Sequence, residues 1–152
     1  RRAPGKLGRM PTVIRTARPS DADPVADLIA QLGNSSEGTD GVGPRIAQMA
    51  DTPSDTVLVA EVDGRVVGMV SLHVTPYFNR GTTRGRVTAL VVDEAVRGQG
   101  IGRQLLAAVE DAARARGCVE AELTSAAHRL DAHRFYLNAG YKGHPHRFRK
   151  LL

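Results

Sequence analysis

The segment from Leu90 to Gly102 constrains the chain most, and it reads Leu-Val-Val-Asp-Glu-Ala-Val-Arg-Gly-Gln-Gly-Ile-Gly. Residues 86–92, RVTALVV, form a β-branched apolar run of the kind that makes a buried strand, and a turn holding Gly98, Gly100 and Gly102 follows. From Gly100 to Arg116, Ile101, Leu105, Leu106, Val109 and Ala112 recur on one helical face, and Gly117 stops the helix. Such a turn presents backbone N–H groups, unobstructed by β-carbons, at the positive end of a helix dipole. That arrangement is a cradle for a diphosphate. A P-loop would need Lys followed by Ser or Thr, which Gly102-Arg103-Gln104 does not supply. A dinucleotide fingerprint would need GxGxxG after the first strand of its unit, whereas here the spacing is GxGxG and it falls late in the chain.

The remaining elements predict one mixed α/β domain around this segment. Residues 12–15 read as a short strand, and Val25, Leu28, Ile29 and Leu32 then recur at helical spacing up to Gly33. Residues 34–43 are polar and glycine-rich, which predicts a loop, and a short helix over 45–50 follows. Residues 56–62 and 65–74 are β-rich runs joined by Asp63-Gly64, the strongest short-range hairpin signal. After the long helix, Val119, Ala121 and Leu123 alternate with Glu120 and Glu122 in a strand over 118–124. A helix over 130–139 ends at Gly140, and a final strand is expected from Tyr141 onward. At 152 residues the chain has the length of one domain with one core.

Charge and composition narrow the function classes. The net charge of +5 suggests a nucleic-acid partner at first sight, but Arg1, Arg2, Lys6 and Arg9 all precede Met10. Without those four the balance is 17 basic against 16 acidic residues, which argues against nucleic acid as a partner. Residues 1–9 therefore read as a vector or upstream extension, and 10–152 as the domain. No stretch reaches the roughly 18 to 20 apolar residues of a bilayer span, which argues against a membrane. The single cysteine, Cys118, opens a buried strand and reads as a small packing residue. One cysteine forms no internal disulfide, so a cytoplasmic location is expected. The histidines lack a tight ligand spacing, and no metal is expected.

Arg97-Gly-Gln-Gly-Ile-Gly102 matches the Arg/Gln-x-x-Gly-x-Gly/Ala pattern of the GCN5-related N-acetyltransferase (GNAT) superfamily, in the family's position between the fourth strand and the next helix. Ala132-His-Arg-Phe-Tyr-Leu-Asn-Ala-Gly-Tyr141 resembles its later signature, Phe-Tyr-x-x-x-Gly-Phe/Tyr. The element order agrees from Thr12 to Leu152. Ser71-Leu-His-Val74, Thr124-Ser125 and the Arg147-Phe-Arg-Lys-Leu151 ending look like small-molecule amine acetyltransferases, including the aminoalkylphosphonate type.

The resemblance implies a mostly antiparallel sheet of six to seven strands, splayed between the fourth and fifth and flanked by about four helices. It implies acetyl-coenzyme A as donor and a small primary amine as acceptor, joined by direct attack in a ternary complex. A catalytically silent CoA-binding regulatory domain of the same fold is the alternative. Carried over by position, Arg97, Gly98, Gln99, Gly100, Ile101, Gly102 and Arg103 would hold the pyrophosphate. Leu90, Val91 and Val92 would offer main-chain groups to the pantetheine arm, which can pair with a strand edge as a β-strand would, and Ser125 would join them. A main-chain N–H near Val92 would polarise the thioester carbonyl. Tyr136 would be the general acid, since a phenol of reference pKa about 10 keeps its proton at neutral pH.

The base is more open. Many relatives carry Glu on the fourth strand where this chain has Thr88, which cannot take a proton from an ammonium. His73, Glu37 in the polar loop, and an ordered water are the alternatives, with His73 the candidate. Arg80, Arg84, Arg86, Arg147, Arg149 and Lys150 would flank the acceptor and favour an amine that also carries a carboxylate or phosphonate. A homodimer through the C-terminal strands is a reasonable assembly.

Overall fold

Two hairpins and one helical crossover set the order of the sheet. The computed structural model describes residues 11–33 and 38–152. Strands β1 (Thr12–Thr16), β2 (Asp55–Val62), β3 (Arg65–Tyr77) and β4 (Thr82–Val92) form an antiparallel meander. Helices α1 (Ala22–Gly33) and α2 (Val42–Ala50) fill the connection between β1 and β2. Helix α3 (Ile101–Ala115) carries the chain over to β5 (Cys118–Glu122), which runs parallel to β4, and α4 (Leu130–Asn138) follows. The β2–β3 turn has φ of 52° at Asp63 and 74° at Gly64, the left-handed pair that matches the twist of a tight hairpin.

Strand alternation sorts the core into two layers. Val70, Leu72 and Val87 face α3 and meet Leu105, Leu106 and Val109. Val57, Val59, Met69 and Val91 face the other way and meet Val25 and Leu28 of α1 and Ile46 of α2. Gly68 and Gly85 let α3 lie close to the sheet. A β-carbon at Gly68 would come within 2.9 Å of Leu105 Cδ1, and one at Gly85 within 3.0 Å of Ala113 Cβ.

The sequence reading needs three corrections here. The fourth strand begins at Thr82, ahead of residue 86, because it pairs with β3 back to Tyr77. Helix α2 begins at Val42, because Gly41 caps it at φ 65°. Residues 141–152 form no strand, so the described sheet has five strands and not six or seven. Gly143 and Pro145 break that segment, and Lys142, Arg147, Arg149 and Lys150 crowd it with like charge. Residues 1–9 and Glu37 lie outside the described residues. Among the described residues no helix is long and apolar enough to cross a membrane.

Candidate active site

β5 ends before β4 does, and the length of β4 that runs on beyond it defines the candidate site. Their pairing runs from Thr83↔Cys118 to Arg86↔Glu122 and stops, while β4 continues to Val92. β5 ends there, so among the described residues no strand pairs with the β5-facing edge of Leu90, Val91 and Val92. Leu90 and Val92 turn their side chains to the α3 layer, and Val91 is buried on the opposite face. Arg84 and Arg86 hold the strands together where they last meet. Arg84 donates to Glu120 at 2.7 Å and to Glu122 at 2.5 Å, and its guanidinium lies 3.9 Å over the Tyr77 ring. Arg86 donates to Thr124 Oγ1 at 2.7 Å and reaches Glu122 at 3.5 Å. This overturns part of the sequence reading, because Glu120 and Glu122 neutralise Arg84, while Arg147, Arg149 and Lys150 lie on no strand.

The glycine turn follows the end of that edge. Asp93 caps a single turn at Glu94–Val96 by accepting from Ala95 N–H at 3.1 Å. Arg97 donates from Nε to the Val92 carbonyl at 3.0 Å and so ties the turn to the strand end. Gly98 and Gly100 take φ of 80° and 82°, which side chains with a β-carbon resist, and Gly100 leads into α3. Ile101 is buried and anchors the helix start, so it offers only its backbone, while Arg103 is exposed. Gly102 sits between two side chains, since a β-carbon there would lie 3.6 Å from both Phe135 and Val92. Gly98, Gly100 and Gly102 are thus brought together with the strand edge.

Phe135 carries α4 to the same place and puts Tyr136 beside it. The Tyr136 ring meets Phe135 edge-on at 5.1 Å and Tyr141 at 5.9 Å. Burial pushes the Tyr136 phenol up, partly offset by Arg129, so it stays protonated at neutral pH. Burial and then Glu110 push Tyr141 up to about 12. Among the described residues Ser125 Oγ and Tyr141 Oη are buried without a hydrogen-bond partner, and an orphaned buried hydroxyl suits a polar ligand. Burial likewise pushes the Cys118 thiol up, as befits a packing residue.

His73 lies on the other face of the sheet, with Met69 and Ser71. Its Nδ1 is 2.5 Å from Asp55 Oδ1. Thr88 is the extra residue of a bulge in β4, since Ser71 pairs with Ala89 and Leu72 with Val87. Thr88 is exposed, and its hydroxyl lies 2.6 Å from that of buried Ser71. Tyr136 therefore lies in the α3 layer and His73 on the opposite face of the sheet. The sequence reading missed Asp55 and the bulge. Their only signal was the hairpin register, and the bulges shift it.

The family described as the acetyltransferase (GNAT) family matches residues 25–141. An aminoalkylphosphonate N-acetyltransferase of Salmonella typhimurium strain LT2 is 38% identical over 139 residues, covering 91% of this chain and 90% of that one. A glucosamine 6-phosphate N-acetyltransferase of Trypanosoma brucei brucei is 32% identical, covering 78% of this chain and 82% of that one. Among solved structures, a transcriptional regulator from Bacillus halodurans C-125 superposes with a TM-score of 0.86 at 27% identity, covering 93% of this chain and 100% of that one. The chain belongs to the GNAT family. It is an acetyl-CoA-dependent acetyltransferase, and the glycine turn, the open strand edge and the orphaned Ser125 hydroxyl fit that donor.

Proposed function

We propose that this chain acetylates the primary amine of a small molecule that also carries a phosphonate or phosphate, by direct attack in a ternary complex. The single observation that carries the reading is the β4 edge that runs on beyond the end of β5 into the glycine turn. Acetyl-CoA supplies the acetyl group as an activated thioester. The N–H groups from Arg97 to Arg103 hold its pyrophosphate, and the edge of Leu90–Val92, with Ser125, holds the pantetheine arm.

His73 Nε2 takes the proton from the acceptor ammonium, and Tyr136 Oη gives its proton to the departing sulfur. Both roles suit the placement: His73 is 46% exposed on its side chain, and Tyr136 is held protonated by burial. The acidic group of the acceptor is read from two relatives whose names carry a phosphonate or a phosphate. Arg86 is the residue to hold it. Its side chain is 37% exposed, its link to Glu122 is long, and it pairs across the sheet with His73. The reading includes a homodimer, because Phe148 and Leu151 stand exposed on the segment after Tyr141.

Thiol release from acetyl-CoA, measured with a panel of amines, tests the acceptor. Aminoalkylphosphonates and amino-sugar phosphates are expected to give the highest kcat/KM, and an aminoglycoside or polyamine preferred tenfold would overturn it. Sedimentation of the same preparation reads the dimer.

A further inference from the structure

We infer that Asp55 is the positioning residue of His73: it fixes the imidazole in the tautomer whose lone pair lies on Nε2. The inference rests on the reading of His73 as the base and adds a second residue to it.

Asp55 is the first residue of β2 and pairs across the sheet with His73. Its own backbone is pinned, because its N–H donates to the Thr52 carbonyl at 2.9 Å and Val74 N–H donates to the Ser54 carbonyl at 2.8 Å. A side chain on so fixed a backbone has few ways to move. Its carboxylate is 15% exposed, against 46% for the imidazole, so the acid forms the buried support and the ring faces outward. An ionised carboxylate has only acceptor lone pairs. At 2.5 Å from Asp55 Oδ1, Nδ1 must therefore be the nitrogen that carries hydrogen. The lone pair is then left on Nε2, on a side chain 46% exposed, where an ammonium can be met. The same carboxylate offsets the charge that His73 gains when it takes that proton.

The other charged side chains at this register are Arg86 on β4 and Glu122 on β5, which lie 3.5 Å apart, with Arg86 also donating to Thr124. A half-exposed imidazole–carboxylate hydrogen bond contributes little to stability. The pairing is better explained by what it does to the ring.

Two measurements on the full-length chain test this. Histidine-selective ¹⁵N NMR, without acetyl-CoA, should find neutral His73 protonated on Nδ1, and Asp55→Asn should shift it toward the Nε2-protonated form. In steady-state assays Asp55→Asn should lower kcat by about tenfold to a hundredfold, with the KM for acetyl-CoA unchanged within twofold. Asp55→Glu should recover part of the loss, and the double variant with His73→Gln should be no slower than His73→Gln alone. An Nε2-protonated ring in the unaltered chain overturns the inference, and so does an Asp55→Asn variant at full kcat beside a slow His73→Gln. A His73→Gln variant at full kcat removes the base reading instead, while the NMR result still reports on the tautomer. Should Asp55→Asn fail to fold, the NMR of the unaltered chain and the Asp55→Glu kinetics decide.

Discussion

Tyr136 shows how burial can suit a residue to one half of a reaction. Desolvation raises its phenol and so favours the protonated form, which suits it to give a proton and not to take one. Tyr136→Phe keeps the ring and its contacts with Phe135 and Tyr141 and removes only the hydroxyl. Its kcat should fall roughly 10²-fold at neutral pH with acetyl-CoA affinity unchanged. The deficit should narrow in alkali, where a departing thiolate needs no proton, and full activity at every pH would show that Tyr136 only packs. Gly102→Glu probes the donor side. Its β-carbon would meet ordinary contacts at 3.6 Å, and an acid in the first turn favours a helix, so the fold should hold. CoA affinity should nevertheless drop more than 10²-fold by calorimetry, because the carboxylate opposes the pyrophosphate. Both residues were legible in the sequence, since short motifs carry them. Asp55 was not. A two-residue turn at Asp63-Gly64 would place His73 opposite Ser54, and one extra residue at Val67 moves it to Asp55. No local pattern announces that extra residue.

At the scale of elements, helix α3 governs the site, because its first turn is the glycine cradle and its body sets the distance to the sheet. Leu105 and Val109 lie fully buried over β3 and β4. Gly68 makes room for this. A methyl group there would stand 2.9 Å from Leu105 Cδ1 and 3.3 Å from the Val91 carbonyl, next to the strand edge that runs on beyond β5. Gly68→Ala should cost about 1–3 kcal/mol in denaturant unfolding, the usual cost of an overfilled core. It should also raise the KM for acetyl-CoA, because the added carbon pushes α3 away from β4. An unchanged unfolding midpoint would mean that Leu105 simply rotates aside. The hairpin, the crossover and the long helix were legible because apolar period and turn residues agree in each. The final strand was misread: Tyr141, Phe148 and Leu151 suggest one, but a strand also needs a partner edge, and composition cannot supply that.

Across the whole molecule, one cluster ties the α1 and α2 layer to the sheet and sets how the domain meets acid. Arg15 on β1 reaches Asp21 with both terminal nitrogens, at 2.8 and 2.9 Å, and Glu61 on β2 with Nε at 2.9 Å. Asp21 also accepts from Arg18 N–H at 2.8 Å, so its carboxylate closes the turn that starts α1. The Arg15 hydrogen bonds, opposed by burial, hold the Asp21 carboxyl below the usual carboxylate range. A lowered value in the folded state means that Asp21 contributes stability above its unfolded value of about 3.9, and that the contribution fades as pH falls toward the folded value. Asp21→Asn leaves Arg15 half-partnered in a nearly buried place and should lose about 1.5–3 kcal/mol at pH 7. Below that unfolded value the unfolded chain takes up the proton first while folded Asp21 resists it, so the gap between variant and unaltered chain should shrink as pH falls. Urea unfolding of both at pH 7 and pH 3 checks this, and a gap of equal size at both would falsify the link between Asp21 ionisation and the folding of this layer. The consequence bears on the proposed base, because His73 and Asp55 sit on this same face of the sheet. A domain that loosens here in acid should lose acceptor turnover before it loses CoA binding at the α3 cradle.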